Sequence, residues 1–286
     1  RSLTSYSGIL FVSRIVGLIF NQMDKFLIWL FLAVARLAVY DVVVRPANLV
    51  RMLISIINSA VVPEAARLHQ RHDIAGIKVL YIDLVRYAYL IVLPVVVVAW
   101  VHIDVLLTLW VGADFAEYGN LVRIMLAVYL IAPLPSMAST IVVGMELVRK
   151  TIWISVVASV INVALSLALL KSMGLAGLLT ATLVAEVFML FPYLSMMKHI
   201  LGLGAAELIQ PMTRIMALSA PFVASQLVLG VLPIRSPWLL LSCVAGLASL
   251  HAAVHVRYLL TDRERRYLLE KCGMRKRSFV WGNLSR

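Results

Sequence analysis

The chain has 286 residues, 62% apolar and only 14% charged, with a mean hydropathy of +0.96 and a formal net charge of +12. A soluble domain is about half apolar and a quarter charged, so this composition excludes one, and length does not give a domain count. Two cysteines, Cys243 in an apolar run and Cys272 in a basic tail, supply neither a disulfide framework nor a metal knuckle. Arg1 stands where Met would, and no short apolar segment with a small-residue cleavage site follows. The expectation is a fragment without its natural N-terminus and without a signal peptide.

Apolar runs between polar breakers predict eight membrane spans, near residues 9–34, 42–63, 79–100, 119–143, 151–170, 175–197, 212–232 and 237–259. Runs of about 20 apolar residues suit helices, which cross roughly 30 Å of hydrocarbon, and the polar-apolar alternation of barrel strands is absent. The fold class is therefore all-α, a polytopic membrane helix bundle. Pro94, Pro133, Pro135, Pro192 and Pro221 lie in or near spans and predict kinks and an irregular, cavity-containing bundle.

Lysine and arginine in the loops set the orientation. With the N-terminus inside, 17 of them fall in cytoplasmic segments, nine of these between Arg257 and Arg286, against Arg36, Lys171 and Arg235 outside. Both ends of the chain are then cytoplasmic. Asp104, Asp114 and Glu117 mark an acidic outer loop. The basic tail suits anionic membrane lipids, not nucleic acid.

Ten charges remain within or at the ends of spans: Arg14, Lys25, Arg45, Arg51, Arg86, Arg123, Asp24, Asp41, Asp83 and Glu186. Each costs at least about 2.5 kcal/mol near the bilayer centre, so such residues face water or a partner. Asp83, Arg86 and Arg123 lie near span ends, within snorkelling reach. Asp24, Lys25, Arg51 and Glu186 sit near mid-span. Arg14, Asn21 and Lys25 recur on one helical face of the first span, with Asp24 one turn from Asn21. Asp41, Arg45, Asn48, Ser55 and Ser59 form a stripe on the second, with Arg51 beside it and Asn58 at its edge, and Asp41 and Arg45 are spaced for an ion pair. Two facing stripes would line a water-filled cavity, whereas neutral polar clasps would hold a packed bundle. In the first two spans four cations face two acids, which suits an anionic ligand such as a pyrophosphate, since arginine grips phosphate oxygens bidentately.

Weaker signals have plainer readings. His251 and His255 have the i, i+4 spacing of two metal ligands but no third nearby, and read as interfacial histidines. Gly177, Ala181 and Ala185 form a small-residue packing stripe. Trp100, Trp110, Tyr118, Trp153 and Trp238 read as interface anchors. Neither a phosphate-cradling glycine loop, an HExxH, nor a nucleophile elbow occurs, so nothing points to an enzyme.

Several local patterns, in order, resemble the multidrug/oligosaccharidyl-lipid/polysaccharide exporter superfamily, most closely its O-unit and exopolysaccharide repeat flippases. They are Met23-Asp24-Lys25-Phe26-Leu27-Ile28, Val39-Tyr40-Asp41, Val62-Pro63 closing the second span, and Leu109-Trp110-Val111-Gly112 with Phe115. Gly144-Met145-Glu146 with Arg149-Lys150, Asn162, and the run from Gly174 to Thr182 complete the set. The resemblance implies the C-terminal part of such a transporter: residues 1–200 a second six-helix lobe, 201–260 two additional helices, and 261–286 a basic cytoplasmic tail. It also implies a prokaryotic inner membrane, alternating access, and a polyprenyl-pyrophosphate-linked oligosaccharide as substrate, with polysaccharide polymerase and assembly proteins as partners. Arg14, Asn21, Lys25, Arg45, Asn48 and Arg51 would bind that substrate. Asp24, Asp41 and Glu186 would serve ion coupling or gating, on a proton or sodium gradient and without any cofactor or metal. A drug/cation antiporter of the same superfamily and a membrane-embedded glycosyl- or acyltransferase are the alternatives.

Overall fold

The computed structural model describes residues 22–232 and 236–258. The first half of the first predicted span, with Arg14 and Asn21, and the basic tail from residue 259 lie outside them. Among the described residues all regular structure is helical. A helix over 22–31 (α1) turns within three residues into α2 (Ala35–Gln70), followed by α3 (Ile74–Trp110), a 3-10 turn (Ala113–Tyr118), α4 (Gly119–Ile131) and α5 (Pro133–Gly144). Then come a 3-10 turn (Val148–Lys150), α6 (Ile152–Met173), α7 (Leu175–Leu201), α8 (Ala205–Val231) and α9 (Pro237–Tyr258). Six of these helices are long and apolar enough to cross a membrane, seven if α4 and α5 make one bent span.

The helices run past the predicted span ends because hydropathy reports where hydrocarbon stops, not where helix stops. α3, with 37 residues, is roughly 55 Å long, well beyond the hydrocarbon thickness. It begins where the Asp73 side chain accepts a hydrogen bond from the Gly76 N–H at 2.7 Å. Pro63 does not end its helix. α2 continues through it to Gln70, with Arg67 donating to Glu64 on the emerging surface. Nor is Asp104 in a loop: it lies on α3, and the loop proper carries Asp114 and Glu117.

The predicted kink at Pro133 is present. α4 and α5 meet at 46°, as expected where two prolines remove backbone donors. Hydroxyls from α3 bond carbonyls around the bend, Tyr89 to Leu130 at 2.8 Å and Tyr81 to Leu134 at 3.3 Å. Without them the bend would leave carbonyls bare in an apolar interior.

Packing follows residue size. α2, α3, α4, α5 and α7 share one core, including Tyr81, Leu126, Met137, Ile141, Leu178 and Met197. α6 lies along α7, where a Cβ on Gly177 would stand 2.5 Å from the Leu169 carbonyl oxygen, so the small-residue stripe does set a close approach. α8 packs on α3 and α9 on α8. His251 and His255 are buried between these last two helices. His251 stacks on Phe222 and His255 meets the Ser219 hydroxyl at 3.2 Å. Turned outward are large apolar side chains, Trp29, Phe191, Val231 and Trp238 among them, which suits a lipid surround.

Candidate functional site

Three residues of turn between α1 and α2 bring the polar stripes of both helices side by side. Asp24 is buried at 8% exposure and accepts a hydrogen bond from the Tyr40 hydroxyl at 2.8 Å, while its Oδ1 is buried with no hydrogen-bond partner among the described residues. Lys25 Nζ lies 2.8 Å from Asp41 Oδ1, both half-exposed. Asp41 therefore reaches back to α1 and does not pair with Arg45, despite the helical spacing. A partner on the facing helix is nearer than the one a turn below. Arg45 instead places its guanidinium 5.8 Å from the Trp110 ring centroid, which takes Trp110 out of a purely anchoring role.

These groups line one cavity of about 570 Å³. Lys25, Arg45, Asn48 and Arg51 face it from α1 and α2, as do Asp24 and Asp41, and Glu186 closes it from α7. Seven of the nine residues singled out in the sequence thus share one space; Arg14 and Asn21 lie outside the described residues. The cavity charge differs from the sequence count. Three cations meet three acids here, because Glu186 joins the wall and Arg14 is not described. The acids differ in availability, since Asp41 is engaged by Lys25 and Asp24 is set back against Tyr40.

The rest of the lining was less visible in the sequence. Tyr129, Ser136, Asn162 and Thr182 contribute to it from α4, α5, α6 and α7. Asn162, at 1% exposure, donates to the Thr182 hydroxyl at 3.1 Å, and Asn58 donates to Ser136 at 2.8 Å. Asn58 and Asn162 are thus clasps between helices. Ser55 and Ser59 turn their hydroxyls onto carbonyls of their own helix. Tyr129 is buried near the middle of its span, away from the ends where anchoring tyrosines cluster, and that position is the signal that marks it.

The remaining charges lie elsewhere. Arg123 is held by Asp104 at 2.6 Å, the Asn120 side chain and the Trp100 carbonyl, a fixed network in place of a free snorkel. Asp83 pairs with Arg86 at 3.4 Å. Among the described residues no cluster of three metal-ligating side chains occurs.

Fold and cavity together define a multi-pass, all-helical membrane protein with a charged, hydrogen-bonding chamber inside its bundle. Residues 1–120 match the family model described as polysaccharide biosynthesis protein. The matched stretch carries the cationic wall formed by α1 and α2 and ends where α4 begins, before Tyr129, Asn162 and Glu186. No curated protein and no solved structure matches the chain.

Proposed function

We propose that the chain forms the cargo-binding part of a flippase that moves a polyprenyl-pyrophosphate-linked oligosaccharide, an O-unit or exopolysaccharide repeat, across a prokaryotic inner membrane. One observation carries the reading. Lys25, Arg45 and Arg51 project into a single intrabundle cavity, and the segment that supplies them is the one similar to the polysaccharide biosynthesis family. Arginine and lysine lining a cavity inside a membrane bundle can offer charge-assisted hydrogen bonds to an anion, and a pyrophosphate is such a ligand.

In this reading residues 1–200 act as one lobe of a rocking pair, 201–260 as two additional helices and 261–286 as a cytoplasmic anchor on anionic lipids. The cavity opens to each side in turn while the polyprenyl tail stays in the bilayer. Arg45 and Arg51 grip the pyrophosphate, with Asn48 hydrogen-bonding beside them. Lys25 contributes when cargo displaces it from Asp41. Asp24, behind Tyr40, and Asp41 are the coupling or gating carboxylates, driven by a proton or sodium gradient. Polysaccharide polymerase and assembly proteins receive the cargo outside.

The second reading is a drug/cation antiporter, and the three carboxylates lining the same cavity favour it. Depletion of the protein in its host separates the two. Accumulation of lipid-linked oligosaccharide in the cytoplasmic leaflet, with normal export of cationic dyes, is the expected result. Dye retention with normal lipid-linked sugars would establish the antiporter.

A further inference from the structure

The cavity is chemically two-sided. Its α1 and α2 wall is cationic, but the polar groups there are largely engaged with one another, Lys25 with Asp41 and Asp24 with Tyr40. Tyr129 on α4 and Glu186 on α7 line the same cavity. Among the described residues neither the Tyr129 hydroxyl nor the Glu186 carboxyl has a hydrogen bond or ion pair, and the Tyr129 hydroxyl is not sealed from solvent. The Tyr129 side chain is nevertheless 7% exposed and clamped in the core. Arg51, Tyr129 and Glu186 line this cavity from three helices, α2, α4 and α7. Side chains that a bundle needs only for packing are paired or turned into the core, as Asn162 and Thr182 are in this same lining.

We infer that Tyr129 and Glu186 form a sugar subsite in this cavity, which hydrogen-bonds the hydroxyls of the first sugar while Arg51 holds the pyrophosphate to which it is attached. A carboxylate accepts from two neighbouring hydroxyls at once, and a phenol both donates and accepts while offering its ring face to sugar C–H groups. The Glu186 carboxylate does not read a phosphate, because the two negative charges repel each other. The subsite rests on the flippase reading and sharpens it, since it makes the cavity selective for a sugar-bearing lipid over the bare carrier. The bare carrier is the molecule a flippase must release and not return.

The test is binding of two lipids to the intact protein in nanodiscs: polyprenyl pyrophosphate alone, and the same lipid carrying the host's oligosaccharide. Glu186→Ala and Tyr129→Phe should weaken binding of the sugar-bearing lipid on the order of tenfold and leave the bare lipid unchanged. Glu186→Gln, which keeps an acceptor, should restore part of the loss. Arg51→Ala should weaken both lipids. Equal loss for both lipids in the Tyr129 and Glu186 variants, or no loss for either, would overturn the subsite and leave the flippase reading intact. Failure of the unaltered protein to bind either lipid would overturn both.

Discussion

At the scale of single residues, what distinguishes the cavity is that its charges are held across helices instead of along them. An i, i+4 pair stiffens one helix, whereas the Lys25–Asp41 pair fastens α1 to α2 at the cavity surface and can open without unwinding either. Arg123 is the useful contrast, with three partners and no place in the cavity. Replacing Arg51 with Gln or Lys25 with Met should therefore impair export of lipid-linked oligosaccharide while membrane abundance stays unchanged. Arg123→Gln should leave export near normal and cost stability of only about 1 kcal/mol or less, since its ion pair is partly exposed. Export and immunoblot abundance measured together decide it. Equal loss of export at all three positions, tracking abundance, would make the cavity cations structural.

At the scale of elements, close approach is the organising force, because helices in lipid gain nothing from hiding apolar surface and must gain from contact. Gly177 shows it most clearly, with the Leu169 backbone where a side chain would begin. Gly177→Val should push α6 from α7 and destabilise the bundle by about 1–3 kcal/mol, seen as a lower melting temperature in detergent. Gly246 is open on every side, so Gly246→Ala should leave melting unchanged or raise it slightly. An unchanged Gly177→Val melt would mean that the α6–α7 pair is looser than it stands here. Each described helix lies where an apolar run predicts one, because the run length and the hydrocarbon thickness are the same constraint seen twice. Their ends were hidden, since hydropathy falls silent once a helix leaves the hydrocarbon. The cationic wall was legible because charge in an apolar span is costly and hence conspicuous. Tyr129 carries no charge and is marked only by its depth in the span, and the choice of Tyr40 for Asp24 and of Lys25 for Asp41 depends on how two helices face each other. No spacing within one helix encodes that.

At the scale of the whole molecule, the peripheral helices must be tied to the core by something other than apolar packing, and α8 shows how. Its side-on contact with α3 holds a buried pair, His102 with Gln226 at 3.0 Å, and near its far end a Cβ on Gly230 would stand 2.6 Å from Val101. Its N-terminus is secured by Glu207, which accepts from the Gly204 N–H at 2.8 Å and meets Lys78 Nζ of α3 at 2.6 Å. The Lys78 hydrogen bond first, and then the Gly204 N–H, hold the Glu207 carboxyl below its ordinary value of 4.5. A carboxyl whose folded value is depressed adds stability that is complete above the unfolded value and fades as pH falls through the folded one. The tie should thus be intact at neutral pH and lost in acid below about 4.5. Glu207→Gln should remove the charge-dependent part of it at every pH. Hydrogen exchange at the start of α8, compared between the native protein and the variant, should show faster exchange in the variant at neutral pH and a difference that closes on acidification. The pair is exposed to solvent, so the difference should also shrink with added salt. A difference that persists unchanged in acid would mean that Glu207 secures α8 through its shape and not its charge.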